Sequence, residues 1–362
     1  MSSVSSGTAV KGRGAVSNPA GRFEALTREP VADGWEGAGD DGPAPLPTVV
    51  VDEPIRSVMA RNTSPDISFD RSINPYRGCE HGCIYCYARP SHAYLGLSPG
   101  LDFETRLFAK AGAAAVLERE LRKPGYRPRP VMLGANTDPY QPIERTRRIT
   151  RAILDVLAAF HHPVMITTKS ALIVRDLDIL APMAARRLVS VAVSLTTLDR
   201  TLARTMEPRA ATPRRRLETI RALAGAGVPT MVLVAPVIPA LTDHEIETIL
   251  AAAAGAGAGA ADYVLLRLPL ELKQLFAEWL RAHHPRKAGR VLGQLREIRD
   301  GHLYASEFGT RMTGTGVLAD LLGQRFRAAC RRLGLETGPS APTRLDGSLF
   351  RPPPAGGQLS LF

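Results

Sequence analysis

The sequence predicts an α/β protein built as a partial (β/α)6, TIM-like barrel, and three patterns support this prediction. Short apolar runs alternate along the chain with longer segments of helical periodicity. About six such pairs follow one another, which is typical of parallel strands joined by helices. Polar or reactive residues stand at the downstream end of each apolar run, and barrels carry their functional groups at that edge.

The predicted elements follow one another in regular order. Apolar runs predict strands at 66–73, 130–135, 163–168, 188–195, 229–236 and 263–268. Helical periodicity predicts helices at 108–122, 145–160, 174–187, 213–226 and 244–254. Each strand and the helix after it form one β/α unit of the predicted barrel.

The chain divides into four predicted regions. Residues 1–48 are rich in Gly, Ser, Ala, Pro and Asp without apolar periodicity, which predicts a disordered leader. The barrel core is expected over 49–270. Residues 271–337 have a helical pattern, interrupted by a glycine-rich stretch, and are expected to cover the open side of the barrel. Residues 338–362 contain Pro and Gly runs and predict a flexible tail.

Composition and charge narrow the class of protein. Of 362 residues, 44% are hydrophobic and 22% charged, which is ordinary for a globular enzyme. No apolar run approaches the roughly 18 residues of a membrane span, and the N-terminus lacks the pattern of a secretory signal. Three of the four cysteines are clustered, which fits a reducing compartment. We therefore expect a cytoplasmic protein with no membrane partner.

The net charge of +11 leaves a nucleic-acid partner open. Six of the 46 basic residues are lysine, which leaves 40 arginines. Together with abundant Ala, Gly and Pro, this bias is typical of a GC-rich genome. The charge is therefore weak support for nucleic-acid binding.

The stretch 74–89 carries the strongest chemical signal. Cys79, Cys83 and Cys86 have the spacing C-x3-C-x2-C, and Gly78 and Gly82 permit the tight turns that would point the sulfurs at one centre. Thiolates suit iron–sulfur clusters or zinc. Three sulfurs can hold three irons of a cubane cluster and leave the fourth iron open, as catalytic metal sites require. A structural zinc site completed by His81 or His92 is the alternative.

The motif C-x3-C-x-aromatic-C resembles the cluster loop of radical S-adenosylmethionine (SAM) enzymes. Residues 65–335 resemble the branch of that superfamily that includes spore photoproduct lyase. The resemblance implies a [4Fe–4S] cluster on Cys79, Cys83 and Cys86. It also implies that SAM binds the open iron through its amino and carboxylate groups, with Tyr85 against the adenine. An electron donor such as flavodoxin or ferredoxin is then expected.

Three further residues are candidates for binding SAM. Lys169 stands at a strand end, where an ammonium group can pair with the SAM carboxylate. Ser194, at the end of the next strand, is a candidate donor to the same carboxylate or to the ribose, and the resemblance supports both. Arg216 is a candidate clamp for a phosphate or for the SAM carboxylate. The alternative for Arg216 and for 207–209 is a solvated cluster that caps the following helix and pairs with Glu218.

The stretch 136–140 supplies four more candidates at a strand end. Thr137 is expected to contact the polar end of SAM and Asp138 its amino group, while Tyr140 is expected to face the substrate. Asn136 is placed at the active edge. In the resembled lyase a hydrogen-donating cysteine occupies about this position, and an amide cannot donate a hydrogen atom as a thiol does. Each of these residues alone is also typical of a turn or a helix cap.

These observations give one leading functional hypothesis and two alternatives. The leading hypothesis is a radical SAM enzyme that cleaves SAM reductively to a 5′-deoxyadenosyl radical, which abstracts hydrogen from an unidentified substrate. The first alternative uses the same chemistry for the repair or modification of a nucleic-acid lesion. The second is a non-enzymatic protein that binds zinc or a cluster.

Overall fold

The computed structural model describes residues 10–24, 46–338 and 345–354. The strands are β1 (Val49–Asp52), β2 (Met59–Arg61), β3 (Arg71–Ile73), β4 (Tyr76–Arg77), β5 (Arg106–Ala109), β6 (Val131–Leu133), β7 (Val164–Thr168), β8 (Val189–Ser194), β9 (Thr230–Val237), β10 (Ala260–Leu265) and β11 (Glu336–Thr337). The helices are α1 (Asp102–Thr105), α2 (Ala113–Leu121), α3 (Glu144–Arg147), α4 (Ile149–Ala159), α5 (Leu177–Ala185), α6 (Arg200–Met206), α7 (Pro213–Gly225), α8 (Ile246–Gly255), α9 (Leu272–His283), α10 (Pro285–Glu297) and α11 (Gly316–Leu333).

The main sheet has the strand order β11-β10-β9-β8-β7-β6-β3-β2. The six strands from β3 to β10 in this order are parallel, as is β11, whereas β2 is antiparallel to β3. The predicted α/β class is thus confirmed, with one strand in each predicted β/α unit. Within the described residues the sheet ends at β2 and β11, so it is open, which is compatible with a partial barrel.

The interior of the sheet is apolar because helices cover it. In β8, Val189, Val191 and Val193 are almost completely buried. Helices α5 and α7 pack on β8, and α7 and α8 pack on β9. Parallel strands joined by helices are buried in this way, which explains their continuous apolar runs. Because these strands are parallel, their carboxyl ends lie at the same edge of the sheet.

A small second sheet, with the order β1-β5-β4, was not predicted. The helix predicted from Phe108 begins only at Ala113, because Phe108 lies in β5 and pairs with Val51 and Arg77. This sheet holds β4, the strand that leads directly into the first cysteine. The predicted start of this helix was wrong because β5 forms by pairing with β1 and β4, which are distant in the chain.

The segment 301–315, between α10 and α11, joins two distant parts of the main sheet. The amide of Leu265, at the end of β10, donates to the carbonyl of Met312 at 2.9 Å. The amide of Gly309 donates to Asp66 at 2.7 Å, and Arg311 forms an ion pair with the same carboxylate. Since Asp66 lies between β2 and β3, the segment spans from β10 to the opposite end of the sheet.

The predicted disordered leader differs from the structure at residues 10–24. These residues, called the N-terminal strap below, pack against the loop that carries the cysteines. The amides of Gly14 and Ala15 donate to the buried carboxylate of Glu104 at 2.9 and 2.8 Å. A polar segment is thus held by buried hydrogen bonds, which hydrophobic periodicity does not reveal. Residues 1–9 and 25–45 lie outside the described residues.

The predicted flexible tail also differs, at residues 345–354. The ring of Phe350 lies near Tyr126 and Phe160, with centroids 5.4 and 6.1 Å apart. The amide of Arg351 donates to the carbonyl of Phe160 at 3.0 Å. Residues 339–344 and 355–362 lie outside the described residues. Across the part of the chain that the structure describes, every helix is too short or too polar to span a bilayer.

Candidate cluster and cofactor site

The loop 79–89, called the cluster loop below, is a series of tight turns. Amides donate to carbonyls three residues earlier, from Gly82 to Cys79, from Cys86 to Cys83 and from Arg89 to Cys86, at 3.1–3.2 Å. Gly82 has a φ of +65°, and a Cβ atom there would lie 2.6 Å from the carboxylate of Glu104. Glycine is therefore required at this position for both backbone conformation and space.

A buried ion pair supports the cluster loop from behind. Arg89 and Glu104 are both completely buried and pair with each other. Arg89 also donates to the carbonyls of Cys83 and Gly82 at 2.9 and 3.0 Å. Because Glu104 also binds the N-terminal strap, the ion pair connects the strap to the cysteine-bearing turns.

The three cysteine side chains lie near one another. Burial raises the pKa of Cys79 well above its usual value, and the negative charges of Asp138, Cys83 and Cys86 raise it further. Burial also raises the pKa of Cys83, opposed by the positive charge of Lys169. Such mutual effects require the sulfurs to be near one another.

This donor set fits a cubane cluster. No three histidine, cysteine or acidic side chains converge on a single ion position in the described ranges. The ligands of a cubane bind different irons, so they surround the cluster and do not meet at one point. Three thiols on one loop, with Lys169 beside them to offset negative charge, suit such a group.

The cluster loop lies in the mouth formed by the carboxyl ends of the strands. Its aromatic residues reach residues after four of the parallel strands. Tyr87 donates to the carbonyl of Ala135 after β6, and Arg267 after β10 lies over its ring at 5.5 Å. Tyr85 lies under the ammonium of Lys169 after β7, at 5.6 Å, and within 3.1 Å of Thr196 after β8. The polar strand ends predicted from the sequence therefore converge on the cysteines.

The segment 206–209, after α6, lies alongside the cluster loop. The amide of Ile84 donates to the carbonyl of Met206 at 3.0 Å. The amide of Arg209 donates to the carbonyl of His81 at 3.3 Å. The alternative of a solvated cluster is wrong for Glu207, which is 3% exposed, whereas Arg209 is exposed. The backbone of this segment is part of the wall that holds the cluster loop.

Glu207 is the centre of a buried polar network. Its carboxylate accepts hydrogen bonds from Tyr85 and from Thr196, the latter at 2.9 Å, and pairs with Arg216. Arg216 is 1% exposed and also donates to the carbonyl of Ser194 at 3.1 Å. The Arg216 guanidinium is thus engaged behind Tyr85, which favours a supporting role over the predicted direct clamp on SAM. The neighbouring arginines 214 and 215 pair with Glu218 at the surface.

Asp138 links three parts of the site. It accepts hydrogen bonds from the Thr168 hydroxyl and the Lys169 amide, both at 2.7 Å, and lies 3.3 Å from His81. Burial alone would raise the pKa of Asp138, but the attraction of His81 and the hydrogen bonds lower it to about 2. The residue is therefore a carboxylate that ties β6 and β7 to the cluster loop.

The other residues of the stretch 136–140 differ in how deeply they are buried. Asn136 is exposed at the mouth, and its amide donates to Asn74 Oδ1 at 2.8 Å. Thr137 is buried and donates to the carbonyl of Tyr76 at 2.9 Å. Tyr140, predicted to face the substrate, is instead 0% exposed within the apolar core. The prediction for Tyr140 is wrong, because the turn at Asp138 directs its ring inwards.

Comparison with known proteins identifies the family. The model of the radical SAM superfamily matches residues 73–253, half of the chain. The chain belongs to the radical SAM superfamily. Membership implies an iron–sulfur cluster and SAM as the cofactors of the family, and superfamily members are enzymes.

Relatives in sequence carry no assigned activity. Uncharacterized proteins of Mycobacterium tuberculosis and Mycobacterium bovis are 42% identical to this radical SAM protein over 226 residues, which cover 62% of its chain and 66% of theirs. An uncharacterized protein of Methanocaldococcus jannaschii is 26% identical over 176 residues, 48% and 62% of the two chains. The chain thus spans slightly less than two thirds of each of these relatives.

Solved structures of spore photoproduct lyase share the fold. The structure of that lyase with a dinucleoside spore photoproduct has a TM-score of 0.54 and 15% identity, and the match covers 79% of this radical SAM protein and 81% of the lyase. A lyase variant with bound AdoMet and the same photoproduct matches with the same TM-score and coverage. At this identity the likeness establishes the fold alone.

Sequence reasoning missed the residues that support the cysteines. Glu207 lies near arginines for which a function was predicted, but no function was predicted for Glu207 itself. Arg89 and Glu104 have no sequence signal, because burial of a charged pair depends on elements far apart in the chain. The N-terminal strap was missed for the same reason.

Proposed function

We propose that this protein is a radical SAM enzyme in which Cys79, Cys83 and Cys86 ligate a [4Fe–4S] cluster. The observation that carries the proposal is the group of three neighbouring thiols on one loop of tight turns, at the edge where the strand ends meet. When bound and reduced, the cluster would supply the electron that cleaves SAM to methionine and a 5′-deoxyadenosyl radical, which abstracts hydrogen from the substrate.

The residues near Tyr85 form the proposed SAM subsite. Lys169 lies above the Tyr85 ring and near Cys83, where its charge suits the SAM carboxylate. The hydrogen bond to Glu207 fixes the ring that we propose contacts the adenine. Ser194, buried at the end of β8, is proposed to donate to the carboxylate or the ribose.

The residues after β6 form the remaining part of the proposed site. Thr137 and Asp138 are proposed to orient the polar end of SAM, with Asp138 ionised throughout the physiological pH range. Asn136 is proposed to border the substrate, since it is exposed at the mouth. Flavodoxin or ferredoxin is the proposed class of electron donor.

The proposal is tested by product analysis with matched cysteine variants. Anaerobically reconstituted protein, reduced with dithionite and given SAM, should release 5′-deoxyadenosine and methionine. Cys83→Ala should abolish this release and lower the iron content. Cys330→Ala is the control, because Cys330 is also buried but lies on α11. Undiminished cleavage of SAM by Cys83→Ala would contradict the proposal.

A nucleic-acid lesion is the second candidate substrate. The net charge of +11 and the fold shared with a lyase that binds a dinucleoside photoproduct favour it. Binding to an oligonucleotide that weakens steeply with salt concentration would support this candidate. The absence of binding at low salt would argue against it.

A further inference from the structure

Arg267 lies in the mouth formed by the carboxyl ends of the strands, two residues after the end of β10. Its guanidinium carbon lies 5.5 Å from the centre of the Tyr87 ring. Tyr87 directly follows Cys86, and its side chain is 47% exposed. Arg267 is therefore adjacent to the proposed cluster, on the β10 side of the mouth, whereas the proposed SAM subsite lies at β7 and β8.

Arg267 has only weak partners among the described residues. Its terminal nitrogens lie 3.5 Å from Met312 Sδ and 3.5 Å from the hydroxyl of Tyr304. Its Nε atom is buried without a hydrogen-bond partner. Asp66, a nearby carboxylate, is already occupied by Arg311 and by the amide of Gly309.

A second arginine lies behind Arg267 and also lacks an acidic partner in the described part of the chain. Arg299 is 1% exposed and donates to the carbonyls of Thr310 and Leu266, both at 3.1 Å. Its Nε atom is buried and has no hydrogen-bond partner among the described residues. Burial and the positive charge of Arg267 lower the pKa of Arg299 to about 10.

Two neighbouring guanidinium groups, neither of which forms an ion pair with a described residue, are unfavourable when they are withdrawn from water. A guanidinium that lacks an ion-pair partner gains two parallel charge-assisted hydrogen bonds when an oxyanion binds to it. Tyr87, whose side chain is 47% exposed, is an aromatic residue that a flat ring of a ligand can contact. These features make the guanidinium of Arg267 suitable for binding an oxyanion.

We propose that Arg267, supported by Arg299, binds a phosphate group of the substrate beside Tyr87. This inference rests on the proposed function, because it assigns the β10 side of the same mouth to the substrate. It narrows the substrate to a phosphate-bearing molecule, either a small phosphorylated compound or a nucleic-acid backbone.

The test measures phosphate binding by the full-length, reconstituted protein at low ionic strength, using calorimetry with inorganic phosphate and with a short oligonucleotide. Wild type should bind at least one of them saturably. Arg267→Gln should weaken that binding by about tenfold or more, because a charge-assisted pair is lost. Arg267→Lys should be intermediate, since it keeps the charge and loses the planar fork.

Arg290→Gln is the matched control. Arg290 is exposed on α10, so its loss changes the net charge equally and should leave binding unchanged. The thermal unfolding midpoint of each variant reports whether it is folded. If Arg267→Gln does not fold, the binding test is made with Arg267→Lys. Binding that is equal in wild type and the Arg267 variants, or an adventitious ion only, would overturn the proposal.

Two readouts separate this proposal from the proposed function. Phosphate binding should persist in the Cys83→Ala protein, which lacks the cluster. The response of the reduced cluster to SAM should persist in Arg267→Gln. If Arg267→Gln abolishes that response as well, Arg267 binds the SAM carboxylate and the substrate assignment is wrong.

Discussion

The carboxylate of Glu207 accepts a hydrogen bond from the hydroxyl of Tyr85, the residue that precedes the third cysteine. The same carboxylate pairs with Arg216 and accepts from Thr196. One buried acid therefore fixes an aromatic ring of the proposed SAM subsite and neutralises a buried arginine. The cluster loop is held through side chains that do not themselves bind metal.

Replacement of Glu207 should strongly destabilise the protein. Glu207→Ala leaves the Arg216 charge buried without its partner, a change that typically lowers the free energy of unfolding by about 3–5 kcal/mol. It also frees the Tyr85 ring, so the affinity for SAM should fall. Urea unfolding and calorimetry with SAM measure the two effects.

Glu218→Ala is the control for Glu207→Ala. Glu218 pairs with two arginines on the surface of α7, where solvent screens the interaction. Its replacement should leave both measurements close to those of wild type. Equal stability of the two variants would refute the role of Glu207.

Replacement of Gly82 should disrupt the cluster loop. In Gly82→Ala the new methyl group would collide with the Glu104 carboxylate, 2.6 Å away, in addition to the backbone strain of about 1–2 kcal/mol for alanine in this conformation. Gly96 has the same φ of +65° but nothing within 4 Å of an added Cβ. Gly82→Ala should therefore lose iron, and Gly96→Ala should keep it. Similar iron contents in the two variants would show that the close approach of Gly82 to Glu104 is unimportant.

Replacement of Gly14 should release the N-terminal strap. A Cβ atom at Gly14 would lie 1.8 Å from the carbonyl oxygen of Gly82. Arg13 is buried in the native protein. Trypsin should therefore cleave after Arg13 faster in Gly14→Ala than in wild type, as measured by gel and mass spectrometry. Equal cleavage rates would mean that the strap does not depend on this contact.

The parallel core could be predicted from the sequence because its signals are local. Apolar runs and helical periodicity located all six β/α strands, and the polar residues at their ends located the mouth. The three cysteines identified the loop because their spacing is short and specific. Lys169 and Tyr85, 84 residues apart in the chain, meet at the mouth because parallel strands bring their carboxyl ends together.

The supporting residues could not be predicted because their environment is non-local. Glu104 pairs with Arg89 and accepts from Gly14, and nothing in the composition of these stretches indicates burial. Tyr140 was misplaced because a polar stretch after a strand does not reveal which side chains turn inwards. Burial of a polar side chain depends on partners that only the folded chain supplies.

Stability should depend on pH through His162. This imidazole is completely buried, with Nε2 2.7 Å from the Tyr126 hydroxyl and Nδ1 3.0 Å from the carbonyl of Pro163. Burial lowers its pKa from 6.5 to about 4. The unfolded chain therefore binds a proton more readily, so stability is full above pH 6.5 and falls as the pH approaches 4, by about 3 kcal/mol.

The contribution of His162 is isolated by comparing variants. Urea unfolding at pH 7 and pH 4.5 should show a smaller loss of stability for His162→Gln than for wild type. The same substitution at His161, which is only half-buried, controls for changes at this turn. A loss in His162→Gln as large as in wild type would contradict the prediction.

The central claim is that the three cysteines hold a cluster with one iron open to SAM. The most direct test is the EPR spectrum of anaerobically reconstituted, dithionite-reduced protein, recorded with and without SAM. We predict a [4Fe–4S]⁺ signal whose shape changes when SAM is added. A cluster signal that does not respond to SAM, or a protein that binds no cluster, would contradict the account.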